Sequence, residues 1–122
     1  MSMYDHFGLR VGDMDASVRF YDAVLSPLGH VAGPREETYA GFGPADAPAF
    51  WLHPEKNRTG SGCHIAFRAP SRAAVDGFHA AGLKAGAKDN GAPGIRADYG
   101  PTYYAAFLID PDGNNVEAVC TK

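Results

Sequence analysis

The chain has 122 residues, a formal net charge of -3, 45% apolar residues and 20% charged ones, the make-up of an ordinary globular domain. No Lys/Arg cluster supplies the basic footprint that neutralising phosphates would require, which argues against a nucleic-acid partner. No apolar run approaches the roughly 20 residues of a membrane span.

The stretch Met1 to His6 has neither the basic region nor the apolar core of a signal peptide, so a cytoplasmic protein is expected. Cys63 and Cys120 lie in apolar, strand-like segments and read as buried, reduced thiols.

The first predicted element is a strand. In Asp5-His6-Phe7-Gly8-Leu9-Arg10-Val11 the apolar Phe7, Leu9 and Val11 alternate with His6, Gly8 and Arg10, the period of a half-buried strand. A helix follows, capped by Asp13 or Asp15, with Val18, Tyr21, Leu25 and Leu28 on one stripe. Ser26-Pro27 and Gly29 close it. Two further strands are expected, Thr38 to Gly43 and Ala49 to His53, separated by Pro44 to Pro48.

The pattern then begins again. At an offset of 58 residues, Cys63-His64-Ile65-Ala66-Phe67-Arg68-Ala69 matches the first strand, with His on His, Arg on Arg, and Phe20 falling on Phe78. Such a repeat implies a duplicated supersecondary unit. Ser71 caps the second helix, which carries Ala74, Val75, Phe78 and Ala81 and stops near Gly86; Gly77 and Gly82 each weaken it by roughly 1 kcal/mol relative to Ala. His79 on this helix is expected to be solvated. Lys88 to Tyr99 reads as mostly loop. Tyr103 to Ile109 and Asn115 to Cys120 form a strand pair joined by the turn Asp110-Pro111-Asp112-Gly113-Asn114. The expected fold is α+β, strand-helix-strands twice over, in one domain over 1–122 with modules at about 4–56 and 62–120.

Alternation also assigns faces. If Phe7, Leu9 and Val11 pack beneath the first helix, His6 projects from the other side, and His64 does the same in the repeat. In the last strand Val116, Ala118 and Cys120 share the packed face and leave Glu117 opposite. Two imidazoles and a carboxylate from equivalent strands form a recurrent ligand set for a catalytic divalent metal. Taken singly, each of these residues is more often an unremarkable surface or hydrogen-bonded side chain; the symmetry of His6 and His64 makes the set informative. Arg10 and Arg68 repeat in the same way, either as ion-pair partners of Asp5 or Glu117 or as anion-binding groups. Trp51 is expected to line the cleft as an apolar wall.

The stretches Asp5 to Val11, Ser17-Val18-Arg19-Phe20-Tyr21 and Phe107 to Glu117 resemble the vicinal-oxygen-chelate superfamily, which contains glyoxalase I, bleomycin-resistance proteins and extradiol dioxygenases. The resemblance implies two βαβββ modules forming a U-shaped sheet around a metal cleft, commonly in a homodimer. It places metal ligands at His6, His64 and Glu117 and implies one divalent ion, Zn, Ni, Fe, Mn or Co. The implied activity is that of a glyoxalase-like lyase, isomerase or transferase on a small oxygenated metabolite. Glu117 is then the candidate catalytic group, with Tyr103 or Tyr104 as alternative bases, and Arg10, Arg68, Trp51 and Tyr104 as candidate substrate contacts. The alternatives are a non-catalytic small-molecule binding or resistance protein, or a divergent dioxygenase. Glyoxalase I adds an acidic ligand from the last strand of its first module, and here that strand reads Ala49-Phe50-Trp51-Leu52-His53. Extradiol dioxygenases carry a Tyr where this chain has Phe107.

Overall fold

The computed structural model describes residues 3–57 and 62–122; Met1 and Ser2 of the N-terminal stretch considered above lie outside them. The elements run β1 (Phe7–Val11), α1 (Met14–Leu25), β2 (Val31–Glu36), β3 (Tyr39–Gly43) and β4 (Phe50–Pro54), then β5 (His64–Arg68), α2 (Arg72–Lys84), β6 (Lys88–Ile95), β7 (Tyr104–Ile109) and β8 (Asn115–Cys120). The architecture is α+β, two βαβββ modules in succession. Each module forms one mixed sheet, ordered β1-β4-β3-β2 and β5-β8-β7-β6. In both, the first strand runs parallel to the last, β1 beside β4 and β5 beside β8.

The helices start where their caps dictate. Asp13 accepts a hydrogen bond from the Ala16 N–H at 3.1 Å, and Ser71 Oγ accepts one from Ala74 at the same distance, satisfying orphan donors of the first turn. After α1 the chain tightens into a 3-10 turn over Ser26–Leu28, and Gly29 leaves it in the left-handed conformation at φ 93°, which glycine adopts without a Cβ penalty.

One apolar cluster joins the modules, with Tyr21, Val24 and Leu25 of α1, Val75 and Phe78 of α2, and Leu52, Leu108 and Val116 of the sheets all buried. The expected cost of Gly82 to α2 is set against a close approach. A Cβ there would come within 2.2 Å of Leu108 Cδ1 and 3.1 Å of Val24 Cγ1, so the glycine lets helix and sheet meet.

The Asp110 to Asn114 turn does more than reverse the chain. Asp110 is buried and accepts from the N–H groups of Asp112 and Asn114 and from Asn114 Nδ2. Tyr21 Oη of α1 donates at 2.6 Å to Oδ2, the oxygen that also accepts from Asn114 Nδ2. Asp112 Oδ1 accepts from the Gly12 N–H at 3.0 Å. The second module's turn thus clips the first module's strand-to-helix junction. Burial, and then the Asp110 charge, push the Tyr21 phenol well above its ordinary pKa, so it remains a donor.

Four expectations need correction. Val31–Glu36 is a strand, exposed along its whole length and paired with β3 across a bulge. Lys88 to Ile95 is a strand rather than loop, held by backbone bonds to β7 with two register shifts. Cys63 is exposed, because it precedes β5 beside an open groove, whereas Cys120 is buried. His79 is buried and its Nε2 meets Asp89 Oδ1 at 2.9 Å; α2 turns that face toward β6. Among the described residues, no helix is long and apolar enough to cross a membrane.

Candidate functional site

The repeat carries the sheet register with it. In module one, Gly8 of β1 pairs with Trp51 of β4; in module two, Ala66 of β5 pairs with Glu117 of β8. Gly8 and Ala66 are equivalent across the 58-residue offset, so Trp51 occupies in module one the place that Glu117 occupies in module two. The two places differ in chemistry and not in geometry.

Module two builds a polar hollow of about 380 Å³ lined by His64, Tyr99, Tyr103, Phe107, Asn115 and Glu117, within the range of small-ligand sites. Glu117 is only 3% exposed, and a buried carboxylate needs partners. It has two: His64 Nε2 lies 3.0 Å from Oε1, and the Tyr103 hydroxyl donates to Oε2 in a short bond. The other His64 nitrogen, Nδ1, lies 3.1 Å from the backbone carbonyl of Asn115. A carbonyl only accepts, so Nδ1 carries a proton there. Phe107 stacks near the imidazole, ring centroids 6.3 Å apart and planes at 20°.

The chemistry of this donor set suits a cation. With Nδ1–H engaged, a neutral His64 turns the Nε2 lone pair toward a carboxylate oxygen, and two lone pairs at 3.0 Å repel unless a proton or a metal ion lies between them. Backbone-anchored imidazole beside carboxylate is a common outer-sphere arrangement around bound divalent ions. Burial, and next the Glu117 bond, push the Tyr103 hydroxyl up to about 12, so at neutral pH it stays protonated and donates to Glu117.

Module one builds a different hollow, lined by His6, Pro48, Trp51 and His53. His6 is exposed, and its Nδ1 meets Asp5 Oδ1 at 2.6 Å, leaving Nε2 directed elsewhere. Trp51 lies flat on Gly41, whose missing Cβ would come within 2.6 Å of the indole. His6 and the His64–Glu117 pair therefore line separate hollows, and among the described residues no three His, Cys, Asp or Glu side chains gather closely enough to hold an ion.

Of the remaining expectations, Trp51 does line a hollow, that of His6. Arg10 and Arg68 are exposed and line neither hollow; the two carboxylates named for them bond elsewhere, Asp5 to His6 and Glu117 to His64 and Tyr103. Tyr104 points away from the site, its hydroxyl donating to Asp76 of α2 at 2.6 Å and Arg72 lying over its ring. The bond to Asp76 raises its pKa. Period two on β7 explains this, since Tyr103 and Phe107 face the hollow and Tyr104 faces the helix. Tyr99, Phe107, Asn115 and His53 were not singled out as site residues. Tyr99 lies in the turn between β6 and β7 and Asn115 at the start of β8, where alternation is silent, but same-face spacing from Tyr103 could have found Phe107.

A family model described as the glyoxalase/bleomycin resistance protein/dioxygenase superfamily matches residues 4–118. The crystal structure of a glyoxalase/bleomycin resistance protein from Albidiferax ferrireducens T118 is 32% identical, with TM-score 0.83 over 97% of this chain and 98% of that one. A glyoxylase/bleomycin resistance protein/dioxygenase domain from Frankia sp. EAN1pec shares the fold at 21% identity, TM-score 0.70, covering 100% and 99% of the two chains. A family enzyme from Burkholderia phytofirmans PsJN does so at 19% identity and TM-score 0.70, covering 97% and 98%. No curated protein matches the chain. The two βαβββ modules, the whole-chain family match and the Albidiferax likeness agree: this chain belongs to the glyoxalase/bleomycin resistance protein/dioxygenase superfamily, the vicinal-oxygen-chelate proteins.

Proposed function

We propose that the chain is a metal-dependent, glyoxalase-like enzyme, a lyase, isomerase or transferase of a small oxygenated metabolite. One observation carries the reading: His64 Nε2 and Glu117 Oε1 converge at 3.0 Å while Nδ1 is anchored on the Asn115 carbonyl. His64 and Glu117 would hold a divalent ion, Zn, Ni, Fe, Mn or Co, with His6 as the third ligand. Because His6 lines the other hollow, we further propose that it comes from a second copy, in a symmetric homodimer whose sites each take His64 and Glu117 from one chain and the partner's His6. The edge strands β1 and β5 favour such pairing, since exposed edges tend to be covered.

When bound, the ion would supply Lewis acidity to neighbouring substrate oxygens. The chain's own groups do the rest. Tyr103 fixes Glu117 through Oε2, leaving Oε1 to exchange between His64's side of the site and a substrate proton. Phe107 and the partly buried Tyr103 wall the hollow.

The test is stoichiometric. Protein purified without chelator should hold about one ion per chain, and Glu117→Gln should lower affinity by about 100-fold or more, since even outer-sphere partners are worth 10–100-fold. Full occupancy in a His6→Ala/His64→Ala double variant would overturn the assignment.

A second reading, a small-molecule binding protein without catalysis, is favoured by Trp51 standing where Glu117 stands in the other module, and by the apolar groove of Tyr4, Phe7, Leu9 and Ile65 between β1 and β5. Ligand affinity unchanged by removal of metal would select it.

A further inference from the structure

We propose that Arg96 is an anion anchor beside the His64–Glu117 site, so that the substrate is a small molecule with chelating oxygens at one end and a carboxylate or phosphate at the other. The chelating end rests on the metal-site reading above; the anionic end does not.

The segment Gly91-Ala92-Pro93-Gly94 of β6 curls around the Arg96 guanidinium. Nη2 donates to the Ala92 carbonyl at 2.6 Å and Nη1 to the Gly94 carbonyl at 2.9 Å. A Cβ at Gly91 would lie 3.1 Å from Nη2, and one at Gly94 3.3 Å from Nη1. Gly91 also has φ +150°, a conformation that side-chain-bearing residues avoid. The strand gives up side chains on both flanks of one cation and offers it main-chain oxygens instead.

This arrangement fixes the charge without neutralising it. Both partners are neutral carbonyls, and they use two of the five guanidinium N–H groups. A freely solvated arginine would retain its rotamer freedom, so the two bonds hold the fork in place before a ligand arrives.

The location is what connects it to the site. The guanidinium carbon stands 5.3 Å from the centroid of Phe107, the ring that stacks against His64. The Arg96 N–H donates to the Tyr103 carbonyl at 2.8 Å, and its carbonyl accepts from Tyr99 at 2.9 Å. Arg96 is thereby tied through its backbone to both tyrosines of the hollow and through its side chain to the phenyl wall. A compact molecule with its head at His64 and Glu117 would reach the guanidinium across Phe107. Planar, bidentate pairing then selects carboxylate or phosphate.

The test uses two bidentate chelators on metal-loaded protein, acetohydroxamate and succinate monohydroxamate, which differ by a distal carboxylate. Calorimetry should show wild type favouring the carboxylated probe by about tenfold or more, the scale of one charge-assisted contact. Arg96→Met should erase that preference while keeping metal content and acetohydroxamate affinity; Arg96→Lys, which keeps the charge without the fork, should retain part of it. A second arm needs no metal. Inorganic phosphate titrated into metal-free protein should shift the Arg96 Nε–H resonance saturably. If the metal reading fails, neither hydroxamate binds but the phosphate shift survives and sustains the anchor. Equal affinities of the two chelators in wild type, a preference that persists in Arg96→Met, or an unmoved Arg96 resonance would overturn it.

Discussion

The two modules share a register and differ in what they do with it. In module two, Glu117 is buried, bonded on both oxygens and backed by a histidine anchored on the main chain. In module one, the equivalent place holds Trp51, and the equivalent histidine, His6, stands exposed and bonds to its neighbour Asp5. Duplicated backbone geometry keeps both sites addressable, while chemistry has been concentrated in one. Both positions stand on the sheet face opposite the helices, so neither side chain carries the packing of the helix face.

The sharpest way to break that comparison is complementation. His6→Ala and Glu117→Gln homodimers should each lose metal, but a heterodimer of the two contains one intact site, formed by His64 and Glu117 of the first chain with His6 of the second. Metal analysis of co-expressed, doubly tagged protein should therefore recover about one ion per heterodimer. No recovery would show that His6 acts within its own chain, and metal retained in the His6→Ala homodimer would show that it is not a ligand.

Next in size is the loss of the clip between modules. Asp110→Ala strands the Tyr21 hydroxyl and the donors of Asp112 and Asn114, and buried unpaired donors cost about 1–3 kcal/mol each. Denaturant unfolding should show a loss of about 3–5 kcal/mol. A change under about 1 kcal/mol would mean the clip is replaceable by water.

A smaller effect is expected at Gly41→Ala. The new Cβ collides with the Trp51 indole, and overpacking of this kind costs about 1–3 kcal/mol. Trp51 is the chain's only tryptophan, so its emission reports module one alone and should shift, while metal binding at Glu117 stays intact.

The smallest concerns acid. The hydrogen bond from His79, and then that from the Gly91 N–H, lower the Asp89 pKa below its ordinary value of 3.8. A depressed carboxylate stabilises the fold above its unfolded pKa and loses that contribution as pH falls through the folded one. Asp89→Asn should lower the melting temperature slightly near neutrality and flatten its fall below about pH 4. An unchanged acid limb would contradict it.

Much of this was legible in the residues. β1, β5, β7 and β8 alternate cleanly because one face packs on helices, and Asp13 and Ser71 mark helix starts by chemistry that does not depend on tertiary context. β2 and β6 were illegible for a common reason. Both are edge strands whose residues are mostly solvent-facing, and Gly-Pro or Pro-Gly interrupts each; backbone pairing to β3 and β7 makes them strands, and no side-chain period announces it. Period two placed Glu117 on the His64 side but could not show that Tyr103, not Tyr104, shares it. Nor could it show that Cys63 faces an open groove, or that Arg96 is cradled by glycines that read as loop. Even Phe7, on the packed face by alternation, is 40% exposed and lines the open groove between β1 and β5.

The bonds from Tyr21 and Gly12 to Asp110 and Asp112 span 89 and 100 residues of chain. A nascent chain emerges from the ribosome at about 5–20 residues per second. The first module's helix is therefore finished seconds before the turn that holds it has been made. During that interval the apolar stripe of α1 lacks α2, against which it packs in the folded chain. For this protein the vulnerable period lies in synthesis, and it closes only when the last hairpin leaves the tunnel.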